Sequence, residues 1–129
     1  MSNPGLSRPT DAELAILRVL WRRGPSTVRQ AHEALSQDRE TGYTTVLKLM
    51  QIMTEKGLVE RDETERTHVY RTRLTQEQTQ QQLVNDLLEK VFGGSASQLV
   101  LRAMAANPAS ADELAQIRRL LDELEVGKR

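Results

Sequence analysis

The sequence predicts a mainly α-helical chain with one small β-hairpin, and three observations carry that reading. Apolar residues recur at helical spacing in six stretches, while only residues 58–74 alternate at the spacing of two expected of strands. Three Ser/Thr-x-x-Glu/Gln boxes, at Thr10–Glu13, Thr75–Gln78 and Ser110–Glu113, mark helix starts. The third is the apolar complement: Leu, Val, Ile, Met and Ala with four aromatics, Trp21, Tyr43, Tyr70 and Phe92, which suits short packed helices.

Taken in order, residues 1–9 are polar with two prolines and are expected to be loose. The Thr10 box opens a helix to about Arg22, whose broad apolar side is Leu14, Leu17, Val19, Leu20 and Trp21; Arg23-Gly24-Pro25 stops it. Ser26 or Thr27 caps a shorter helix carrying Val28, Ala31, His32 and Leu35. A polar connection, residues 37–40, leads to the third helix at 43–56. Val46, Leu49, Met50 and Met53 give it one apolar stripe, Thr41 or Gly42 caps its start, and Lys56-Gly57 ends it. Leu58 and Val59 begin a strand. Thr67 to Leu74 forms a second, with His68, Tyr70 and Thr72 on one face and Val69, Arg71 and Arg73 on the other. Three helices followed by a hairpin are the layout of a winged helix-turn-helix, expected over residues 1–74.

Residues 75–129 read as three more helices. The first carries Leu83, Val84, Leu87, Leu88, Val91 and Phe92 and ends at Gly93-Gly94; the second spans 96–106; the third follows Ser110 with Leu114, Ile117, Leu120, Leu121 and Leu124 inward. So few residues cannot bury this much apolar surface alone. Either they pair with the same segment of a second chain, making a helical dimerisation domain through Leu87, Leu88, Val91, Leu99, Ile117 and Leu121, or they fold back on the N-terminal half.

Composition narrows the function. Eighteen basic and eighteen acidic residues cancel, but residues 1–74 hold 12 Lys/Arg against 10 Asp/Glu and residues 75–129 hold 6 against 8. The small positive excess lies where a DNA-binding half would need it. The absence of cysteine excludes disulfides, thiolate metal sites and thiol catalysis. His32 and His68 lack metal-ligand spacing, no catalytic constellation stands out, and Gly93-Gly94 lacks the context of a phosphate loop, so neither enzyme activity nor a cofactor nor a metal is expected. No apolar run is long enough to span a membrane and no signal-peptide layout precedes the first helix, so a cytoplasmic protein is expected.

On the third helix Thr44, Lys48 and Gln51 project opposite the buried stripe, with Thr45 on its flank; such hydroxyl, ammonium and amide groups bond base edges and phosphates in a major groove. Tyr43 at the helix start and Arg29 early in the second helix are further candidates, while Trp21 and Tyr70 are expected in the core. An ordinary solvated helix face is the plainer reading of these side chains. A small-molecule-sensing winged-helix regulator and a helical protein-interaction module are the alternatives to a DNA-binding repressor.

The chain resembles the penicillinase-repressor family, winged-helix repressors of β-lactamase and methicillin-resistance operons. The resemblance rests on Glu13-Leu14-x-Ile16-Leu17-x-x-Leu20-Trp21, Thr27-Val28-Arg29, Tyr43-Thr44-Thr45-Val46, Lys56-Gly57-Leu58-Val59 with Val69-Tyr70, and Glu113-Leu114-x-x-Ile117-x-x-Leu120-Leu121. It implies a homodimer on a palindromic double-stranded operator, with Thr44, Thr45 and Lys48 at DNA-reading positions and Arg66 meeting the phosphate backbone at the wing tip. Glu65 stands where the family often has Gly before that Arg. The resemblance also implies a membrane sensor protease as partner, although Arg102-Ala103 occupies the position of the Asn-Phe bond that is cut in staphylococcal members, and the paired cysteines of the copper-responsive branch are absent.

Overall fold

A computed structural model describes residues 8–127. The loose stretch expected over residues 1–9 lies outside the described residues as far as Ser7. The element order is α1 (Asp11–Arg23), α2 (Val28–Ser36), α3 (Tyr43–Lys56), β1 (Val59–Asp62), β2 (Val69–Thr72), α4 (Gln76–Lys90), α5 (Ala96–Ala106) and α6 (Ala111–Gly127). The fold is mainly α with a two-stranded antiparallel hairpin, consistent with a winged helix-turn-helix followed by a helical region. The chain divides into two compact units within α4, between Val84 and Asn85.

In the first unit α1, α2 and α3 enclose one core. Ile16, Leu17 and Leu20 of α1 meet Val28, Ala31 and Leu35 of α2 and Val46, Met50 and Met53 of α3, with Val59 and Tyr70 from the hairpin. The helix ends follow their local chemistry. Thr10 and Glu13 close a reciprocal box, as do Thr27 and Gln30, and Thr75 and Gln78. Gly42 is the N-cap of α3 without a side-chain bond, and Gly57 takes the left-handed conformation, φ 81°, that lets the chain turn from α3 straight into β1.

The hairpin pairs Val59 with Thr72 and Asp62 with Val69, so the second strand, Val69–Thr72, is shorter than the stretch from Thr67 to Leu74 that alternates. Its tip is occupied by a side-chain turn, Asp62 Oδ1 accepting from the Thr64 amide at 2.9 Å, which ends the ladder before Thr67. Two ties hold this marginal hairpin to the helices. Ser26 and Tyr70 exchange backbone hydrogen bonds of 3.0 and 2.8 Å, joining the α1–α2 connection to β2 as a one-residue third strand. The Trp21 indole donates to the Leu74 carbonyl at 3.0 Å. Trp21 and Tyr70 are thus packing residues, Tyr70 almost fully enclosed.

The second unit holds the end of α4 with α5 and α6. Ser95 caps α5, and Ser110 and Glu113 form the box that opens α6. No residue of α5 or α6 is buried.

Candidate nucleic-acid interface

Helix α3 is fixed from below and from both ends. Val46, Met50 and Met53 are wholly enclosed, so the helix cannot roll without opening the core. At its C-terminal end Lys56 Nζ lies 2.6 Å from Glu13 Oε1, a carboxylate only 2% exposed that also accepts from the Thr10 amide. At its N-terminal end the His32 imidazole sits 2.7 Å from the Thr41 carbonyl and meets the Tyr43 ring edge-on at 5.8 Å. His32 therefore braces the turn that launches α3. The 3.6 period marks it only as a member of the α2 apolar face, because its partner is a backbone carbonyl nine residues away.

Helix α3 turns Thr44, Thr45, Lys48 and Gln51 outward, all exposed, with Ile52 and Glu55 exposed toward its C-terminal end. Tyr43 is 45% exposed at the start of the helix. Arg29 stands exposed in the first turn of α2, and Arg66 is exposed in the wing loop. Arg29, Tyr43 and Arg66 come together along one cleft of about 390 Å³, which Thr27, Thr67 and His68 also line. The α3 residues Thr44, Lys48 and Gln51 do not line it. Thr27, Thr67 and His68 are additions that a linear reading misses, since the cleft is assembled from segments some forty residues apart.

Charge on the wing is divided. Arg61 lies 2.9 Å from Glu63, Arg71 lies 3.4 Å from Asp62, and Arg73 lies 3.6 Å from Glu60. A bond to Tyr70 and then one to Glu63 raise the Arg61 guanidinium above its ordinary value, so it stays charged. The Thr64 amide, before any nearby charge, holds the Asp62 carboxyl below the usual carboxylate range. By contrast Arg29, Lys48 and Arg66 have no ion-pair partner among the described residues. Arg29, Lys48 and Arg66 thus stand without a carboxylate partner on α2, α3 and the wing loop, beside a hairpin whose own arginines are paired.

In the second unit Leu87, Val91 and Leu121 are exposed by 45, 66 and 53%, and Leu88, Leu99 and Ile117 are half-buried. No described helix is long and apolar enough to cross a membrane, and among the described residues no group of three His, Asp or Glu could hold a metal ion.

Comparison with known proteins matches residues 9–123 to the family model described as penicillinase repressor. The chain is 37% identical over 123 residues to the transcriptional regulator BlaI of Mycobacterium tuberculosis, covering 95% of this chain and 88% of the relative. It is 19% identical over 114 residues to the penicillinase repressor of Bacillus licheniformis, covering 88% of this chain and 89% of the relative. To the methicillin resistance regulatory protein MecI of Mammaliicoccus sciuri it is also 19% identical, covering 88% and 93%.

Proposed function

The chain belongs to the penicillinase-repressor family of transcriptional regulators, and we propose that it represses transcription as a homodimer on a palindromic duplex operator. One observation carries this reading. Helix α3 is braced at both ends and along its inner side, yet it offers Thr44, Thr45, Lys48 and Gln51 to the outside. A helix held this firmly with a hydrogen-bonding outer face suits insertion in a major groove. Tyr43, Arg29 and Arg66 then face the flanking phosphates, and the lack of carboxylate partners on Arg29, Lys48 and Arg66 leaves those charges available.

Residues 1–74 form the reader in this account and residues 75–129 the dimer clamp. Support for the clamp comes from the apolar residues that α4–α6 leave uncovered, Leu87, Val91, Leu120, Leu121 and Leu124 among them. So many large apolar side chains left exposed in one helical region suit an association surface. A sensor protease as partner rests on the resemblance alone. Arg102 and Ala103 are exposed but lie inside α5, so cleavage there first requires that turn of helix to open.

Selection of bound fragments from random duplex DNA, followed by footprinting, tests the reading. The expected footprint is two-fold symmetric, with half-sites about one helical turn apart or a multiple of that. Binding with a featureless salt response and no preferred sequence would refute it.

A further inference from the structure

We propose that the cleft between the start of α2, the start of α3 and the wing loop seats one DNA phosphodiester, and that His68 takes up a proton as it does so. The inference rests on the reading of the chain as a duplex-DNA binder. The cleft, about 390 Å³, is lined by the two guanidinium groups of Arg29 and Arg66, the imidazole of His68, and the hydroxyls of Thr27, Thr67 and Tyr43. No carboxylate lines it among the described residues. Every polar group there can therefore donate to, or carry charge toward, an anion. Val28, Leu47 and the enclosed ring of Tyr70 supply the apolar remainder.

Among side-chain types histidine is the one that can take up a proton near neutral pH, and His68 is the imidazole lining this cleft. Its Nε2 lies 3.9 Å from Glu63 Oε1, while the other oxygen of that carboxylate is held by Arg61. The titratable groups around His68 and its cleft are Glu63 and Arg66 of the wing loop, Arg61 of β1 through its bond to Glu63, Tyr70 of β2, Arg29 of α2 and Tyr43 of α3. A seated phosphodiester offsets both arginines and adds a second anion beside the imidazole. Binding DNA then draws a proton onto His68, and by linkage affinity rises as pH falls.

Phosphate contacts do not depend on sequence, so a mixed-sequence duplex of about three helical turns serves as the probe alongside the selected operator. For the full chain at constant salt, affinity should rise by at least about threefold from roughly pH 8 to pH 6. His68→Gln should abolish this rise, and His68→Lys should bind tightly at both pH values. Both variants should keep the wild-type melting temperature, because the imidazole stands at the half-exposed edge of the wing. Arg29→Ala and Arg66→Ala should each lower the salt slope by about one unit. Inorganic phosphate alone, at matched ionic strength, should not reproduce the stabilisation that the duplex confers. A wild-type affinity indifferent to pH, or a rise that survives in His68→Gln and so belongs to His32, overturns the proposal while leaving sequence-specific binding intact. Equal stabilisation by inorganic phosphate would make the cleft a free-anion site and overturn it as well. A chain that binds no duplex at all would defeat the repressor reading itself and the cleft with it.

Discussion

Two residues separate reading from holding. Lys48 has no ion-pair partner among the described residues and points away from the core, so Lys48→Ala should leave the melting temperature unchanged. Its effect should appear in DNA binding. A phosphate contact predicts a salt slope smaller by about one unit; a guanine contact predicts relaxed preference at one operator position, worth ~1–3 kcal/mol. Unaltered affinity at every salt concentration would remove Lys48 from the interface. Glu13 is the opposite case, enclosed, capping α1 and bonded to Lys56. Losing the cap costs ~1 kcal/mol and losing a hydrogen bond to a charged group ~1.5–3 kcal/mol. Glu13→Ala should therefore destabilise the chain by about 2–4 kcal/mol in denaturant unfolding. Glu13→Gln keeps the cap and should lose less; an equal loss in both would place the whole effect in the charge.

The elements differ in what acid does to them and in how openly the sequence declares them. In the wing, the Thr64 amide depresses the Asp62 carboxyl, so the stability this contact lends is complete above the ordinary Asp value of about 3.9 and is lost as pH falls through the lower folded value. The Thr64 amide resonance should shift in that acidic window in the wild type and stay still in Asp62→Ala; a shift that persists in the variant would assign it to another group. Helix α3 was legible to its ends, because an apolar stripe, a basic last turn and a glycine all mark the same span 43–56. The boxes at Thr10, Thr75 and Ser110 likewise fixed three helix starts. The Ser26–Tyr70 bridge was not legible, since a strand of one residue has no period. Nor was the cleft around Arg29, Arg66 and His68, because nothing local to any one segment announces that the others will fold beside it. The strand ends were overestimated for a related reason: alternation continues through Thr67 while the Asp62–Thr64 turn has already parted the chains.

For the whole molecule, the proposed function joins α3 as reading helix and the uncovered apolar residues of α4–α6 in one device. If two chains are joined through Leu87, Val91 and Leu121, the second half-site contact becomes intramolecular, and affinity gains ~10²–10⁴ without a new contact. Leu87→Asp with Leu121→Asp should therefore yield a monomer that melts as a folded winged helix yet binds the operator weaker by about that factor. Wild-type affinity in a monomeric variant would separate DNA binding from dimerisation. Under the proposed function, any event that parts the chains would release DNA without touching α3. The most direct test is the stoichiometry and symmetry of the complex, read by sedimentation of the full chain with its selected operator and by footprinting of that complex. Two chains on a palindrome, with equivalent protection of both half-sites, is the predicted result; a single chain saturating a site without two-fold symmetry would contradict it.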